Sequence, residues 1–181
     1  MTITIIKPET HDVLKGLARF SDLTRCSTGL PDMPLPEAQR TFLNVLGFEQ
    51  PMGEGQYSPF GDEAKASIPH VRAGFGLAFV AAEPGKGVLM HAHDTIESFM
   101  CIKGKWKVEW EGPDGIESIQ LDPLDFIAIP VGVQRRFECV VPAAAEKEAL
   151  LLGIIQGDSP AGEYSPESVK RMVEAGVLAS A

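Results

Sequence analysis

The 181-residue chain is 44% hydrophobic and 23% charged, the size and make-up of one globular domain with short extensions rather than of two full domains. Its net charge of -9 and pI near 4.9 exclude a nucleic-acid backbone or an anionic membrane surface as partner, since both would repel it. No apolar run approaches the roughly 20 residues that cross a bilayer, and the N-terminal MTITIIKPETHD lacks the layout of a signal peptide, so the expected compartment is the cytoplasm.

In chain order, residues 1–66 read as an arm: a β-branched run from Thr2 to Ile6, a stretch with Pro31, Pro34 and Pro36, and then PEAQRTFLNVLGF. In that last piece Phe42, Leu43, Val45 and Leu46 fall at roughly helical spacing, with Pro36 suited to a first turn and Gly47 to a C-cap, which predicts a short helix over 36–48. The turn-rich QPMGEGQYSPFGDEAKAS follows as a covering loop. Residues 67–158 change to short β-type segments divided by turn signals, the pattern of an all-β sandwich or barrel.

Strands are expected at 74–82, 88–93, 97–102, 105–111, 116–121, 126–130, 133–141 and 149–155. The third of these after the turn EPGKG carries Trp106, Val108 and Trp110 on one face against charged residues on the other, the mark of a half-exposed strand. The runs at 74–82 and 126–130 are apolar enough to be buried on both sides. Residues 159–181 close the chain with a helix whose signals are Ser165 as N-cap, Pro166 at N1, a Val169/Met172/Val173 stripe and Gly176 near the end. Cys26, Cys101 and Cys139 have no CxxC spacing and an odd count, which suits buried reduced thiols.

The chemistry concentrates in GKGVLMHAHDTIESFMCIKG, residues 85–104. On a strand, His91 and His93 leave the same face. Glu97 shares their parity and joins them either along that strand or from its neighbour across a bend at Asp94 and Thr95. Two imidazoles and one carboxylate form a facial ligand set that leaves coordination positions open, suited to iron, manganese, nickel, cobalt or zinc.

The spacing of Gly85, His91, His93, Glu97 and Gly104 resembles the first motif of the cupin superfamily at every fixed position. That resemblance implies an all-β double-stranded β-helix, a small jelly-roll barrel, here with an N-terminal arm containing a short helix and with a C-terminal helix. It also implies one divalent transition metal held by His91, His93 and Glu97, and a homodimer. A second stretch, LDFIAIPVGVQRRFEC, resembles the family's second motif through Asp125, Pro130, Gly132, Arg136 and Phe137. It departs at Leu124 for a glycine, Arg135 for a third metal-binding histidine and Cys139 for an asparagine.

A guanidinium has no lone pair to donate, so Arg135 leaves two alternatives. Either it holds the carboxylate or enolate of a substrate beside a metal on the other three residues, or it pairs with Glu97 and displaces the metal. The first reading implies a mononuclear-metal enzyme of dioxygenase type acting on a small, anionic organic molecule, with isomerase or lyase chemistry compatible with the same residues. The second implies a non-catalytic cupin that binds or senses a small molecule. His70 is a further candidate at the barrel mouth, with an exposed position the commoner outcome for its turn context; His11 falls in the arm with no expected role.

Overall fold

Two antiparallel sheets account for the β-rich middle of the chain in the computed structural model, which describes residues 2–49 and 65–179. The strands are β1 (Arg25–Cys26), β2 (Thr41–Leu46), β3 (Phe75–Ala82), β4 (His91–His93), β5 (Glu97–Lys103), β6 (Lys105–Gly112), β7 (Gly115–Leu121), β8 (Phe126–Ile129), β9 (Arg135–Val141), β10 (Ala149–Gln156) and β11 (Gly162–Tyr164). A six-stranded sheet runs β1-β2-β3-β10-β5-β8, and a five-stranded sheet runs β11-β4-β9-β6-β7. The faces they turn to each other form the core, where Phe99, Cys101, Trp106, Val108, Phe137, Cys139 and Leu151 are buried. The ring of Phe137 meets those of Phe99 and Trp106 edge-on, with centroids 5.3 and 5.8 Å away, the geometry that aromatic quadrupoles favour.

The helix expected over 36–48 is not formed. Pro36–Ala38 makes one 3₁₀ turn, and Thr41–Leu46 is a strand paired with β1 and β3. All its residues but Val45 are buried, so this segment is apolar on both faces and shows neither a helical nor a strand period cleanly. The short α-helix of the N-terminal region, α1, lies instead at Thr10–Leu14. The covering loop expected over 50–67 falls largely outside the described residues.

The strand at 126–130 was expected to be buried, and it is not. β8 is the outermost strand of its sheet; Phe126 is exposed and Ile129 is its buried residue. The strand expected from Val88 begins at His91, with Gly87 and Val88 bridging to β9 outside the regular ladder.

The closing helix, α2, spans Pro166–Glu174 with Ser165 capping it: its side-chain oxygen accepts the N–H of Ser168 at 3.2 Å. Its Met172 is fully buried against Leu35, Ala38 and Leu89, which fastens the arm to the start of the HAH segment. No helix among the described residues is long and apolar enough to cross a membrane.

Candidate metal centre

β4 is three residues long, and both of its histidines face the interior between the sheets, where they line a cavity. The chain then bends through Asp94, Thr95 and Ile96 and re-enters as β5 in the other sheet. Glu97 therefore comes from across the sandwich rather than from the same strand. The three side chains meet nonetheless, with one ligand atom from each lying within 4.8 Å of the others. The Nε2 of His93 is 3.8 Å from Oε2 of Glu97, and the two imidazoles stand nearly perpendicular, centroids 5.1 Å apart.

Each imidazole is pinned from behind. Nδ1 of His91 lies 2.8 Å from the carbonyl oxygen of Leu89, and Nδ1 of His93 lies 2.7 Å from that of Ala161. A carbonyl only accepts, so both Nδ1 atoms carry the proton and both Nε2 atoms keep a free lone pair, the tautomer that a metal-ligating histidine needs. Burial, reinforced by the charge of Arg135, holds His91 well below the usual histidine range. Burial also lowers His93, with Arg135 adding to it and Glu97 opposing. Both rings are thus neutral ligands at neutral pH.

Arg135 opens β9 as the direct cross-strand partner of His91. It is fully buried, and its side chain reaches across to the other sheet. Nε and Nη2 both donate to Oε2 of Glu97, at 3.1 and 2.6 Å. Nη1 donates to the carbonyls of His91 and Val133, at 3.3 and 3.4 Å. Arg135 thus stands behind Glu97, while Glu97 itself lines the cavity.

A metal ion fits the donor set. Bonds of about 2.0–2.2 Å place two donors on one ion at most about 4.4 Å apart, so the observed span closes with a small inward shift. The tautomers are already correct, and a carboxylate held by a hydrogen-bonded cation is a usual support for a ligand. Against this, a guanidinium beside the site opposes a second cation.

The cavity opens to solvent beside these residues, and its lining runs on past them over strands of both sheets. Its walls are mainly apolar: Leu30, Phe42, Val80, Val88, Phe99 and Phe137, with Arg40 and Tyr164 adding polar groups. Neither Arg40 nor Tyr164 was expected from the sequence, where Arg40 falls in the segment read as a short helix and Tyr164 directly precedes the N-cap of the closing helix. His70 and His11 are exposed and take no part in the group. Cys101 and Cys139 are buried, and burial pushes the Cys101 thiol up to about 11 and raises that of Cys139, which makes both poor nucleophiles.

No protein-family model matches the chain, and no curated protein matches it in sequence. Solved structures do match it in shape. An oxalate oxidase superposes with a TM-score of 0.53 at 17% identity, over 83% of this chain and 63% of that one. The oxalate decarboxylase of Lactobacillus farciminis, in its formate complex, gives 0.52 at 14% identity over 86% of this chain and 38% of its own. A vicilin from Corylus avellana gives 0.53 at 15% identity over 90% and 43%. The chain thus spans less than two thirds of the length of each of these. The paired antiparallel sheets, the intact GKGVLMHAHDTIESFMCIKG segment at their mouth and these superpositions together give the chain the cupin fold.

Proposed function

We propose that this chain is a metal-binding cupin in which His91, His93 and Glu97 hold one divalent transition metal, and that it acts on a small organic anion in a reaction of dioxygenase type. The observation that carries this reading is the pair of Nδ1–carbonyl bonds. They leave two Nε2 lone pairs beside the Glu97 carboxylate, at the wall of a mainly apolar cavity open to solvent. When bound, such an ion supplies Lewis acidity and open positions for substrate and oxygen or water.

The protein's own residues do the rest. Leu89 and Ala161 fix the tautomers of the two histidines. Arg135 holds Glu97 in place from behind, a positioning role, with four donated bonds already assigned to protein acceptors. The buried pairs Arg135–Glu97 and Arg40–Asp32 balance each other's charge, so a dication leaves an excess that an anionic substrate would offset. Apolar walls favour a substrate with an apolar body. That differs from oxalate, on which two of the structural neighbours act by name.

The Arg135–Glu97 pair also supports a second reading, a non-catalytic cupin whose carboxylate is committed to arginine and whose cavity binds a ligand unaided. Metal analysis of protein purified without chelator separates the two. Near-stoichiometric metal in the wild type, lost in His91→Ala, is the expected result. Absence of metal from the wild type, or an equal amount in the variant, favours the second reading. Arg135→His supplies a third imidazole, and so a fourth donor, and removes the opposing charge, so the metal should be held more tightly in that variant.

A further inference from the structure

The cavity has a second polar corner, built by Arg40. The guanidinium of Arg40 is fully buried and meets Asp32 end-on: Nη1 donates to Oδ2 and Nη2 to Oδ1, both at 3.0 Å. Nη1 also donates to the carbonyls of Ala38 at 2.7 Å and Gly87 at 3.2 Å. Asp32 is saturated in turn, accepting the Leu89 N–H at 3.1 Å and the Tyr164 hydroxyl at 2.9 Å. Because the fork uses the two terminal nitrogens, the Nε edge is left over. That Nε–H is buried with no acceptor among the described residues. Arg135 shows the contrast, since its own Nε is bonded to Glu97.

A guanidinium keeps its proton under all ordinary conditions, so a buried Nε–H cannot relieve itself by titration and is costly until something accepts from it. Arg40 lines the cavity together with Tyr164 and His91. Tyr164 is the cross-strand partner of His91, with ring centroids 6.2 Å apart. The corner therefore adjoins the metal group along one wall and is distinct from it. Phe42, whose ring lies 5.2 Å from the guanidinium carbon, and Phe99 supply apolar surface beside it.

We propose that Arg40 is a specificity-determining residue whose Nε–H docks a carbonyl or carboxylate oxygen of an apolar-bodied ligand, and that it does so independently of any metal on His91, His93 and Glu97. The ligand class is an aryl or alkyl compound bearing a planar acceptor oxygen. Asp32 already balances the charge of Arg40, so the contact selects for the acceptor oxygen itself.

Calorimetric titration of the full chain, stripped of metal by chelator, with acetophenone, benzoate and toluene tests this, because the three share a ring and differ in the acceptor. In the wild type at least one oxygen-bearing probe should bind about tenfold tighter than toluene. In Arg40→Lys, which keeps a cation for Asp32 but lacks the Nε–H, that preference should fall below about threefold while toluene binding changes less than about twofold. The titration is run on metal-free protein, so a failure of the metal reading leaves this result intact. The inference is overturned if Arg40→Lys retains the preference, if the wild type shows none, or if none of the three probes binds the wild type. Should Arg40→Lys not fold, the Arg40 Nε–H resonance of the wild type decides. Acetophenone or benzoate should shift it downfield and toluene should not, and an unmoved resonance overturns the proposal.

Discussion

Arg135 and Glu97 face each other from opposite sheets, buried, with two donated bonds converging on one carboxylate oxygen. A pair of this kind gains little net stability over apolar residues of similar size, because both charges lose their water, yet removing one partner strands the other. In metal-free protein, Arg135→Met should therefore cost about 3–5 kcal/mol in urea denaturation, and Glu97→Leu a comparable amount. The double variant should recover most of the loss, ending within about 1–2 kcal/mol of the wild type. Additive losses in the double variant would show that the two side chains act separately, contrary to their geometry. The same contacts explain why a sequence reading left the role of Arg135 open. Its type excluded metal ligation, but whether it met a substrate or Glu97 depended on the register that sets it beside His91.

At the level of elements, the turn before β8 carries a conformational cost that its residue type does not suit. Leu124 has φ of 75° and is 75% exposed, in the left-handed region that a leucine enters at about 1–2 kcal/mol. The resembled motif has glycine there, and Gly104, at the turn between β5 and β6, shows the same φ of 75°. Leu124→Gly relieves the strain but loosens the unfolded chain by about 0.4–1 kcal/mol. A net gain of up to about 1 kcal/mol should raise the melting temperature by about 2–4 °C; a lower melting temperature would mean that the exposed leucine packs in a way its surface does not show. Elements with a clear period or clear caps were legible beforehand: β6 by its Trp106/Val108 alternation, α2 by Ser165 and Pro166. β2 was not, because buried residues run along both its faces. Asp32, Arg40 and Tyr164 were invisible for another reason, since a charge in a proline-rich arm reads as solvated until a tyrosine 132 positions away is found bonded to it.

For the whole molecule, what matters is that the candidate ligands are divided between the sheets: His91 and His93 lie on β4 in the five-stranded sheet and Glu97 on β5 in the six-stranded one. A single ion on these three side chains would tie the sandwich together at its mouth, where Arg135 already ties it through Glu97. The fold holds the three donors together with both histidine tautomers already set, so an ion that binds it more tightly than the unfolded chain stabilises the folded state by linkage. Metal at about a hundred times its dissociation constant adds about 2.7 kcal/mol, which for a chain of this length corresponds to a rise of about 5–10 °C in melting temperature. Thermal melts with chelator and with added manganese, iron(II) or zinc should show that rise in the wild type and none in His91→Ala. In Arg135→Met the metal-induced rise should be larger, because the competing cation is gone. If no metal moves the wild-type melt while Arg135→Met responds, then Arg135 occupies Glu97 so fully that the ion pair alone joins the sheets.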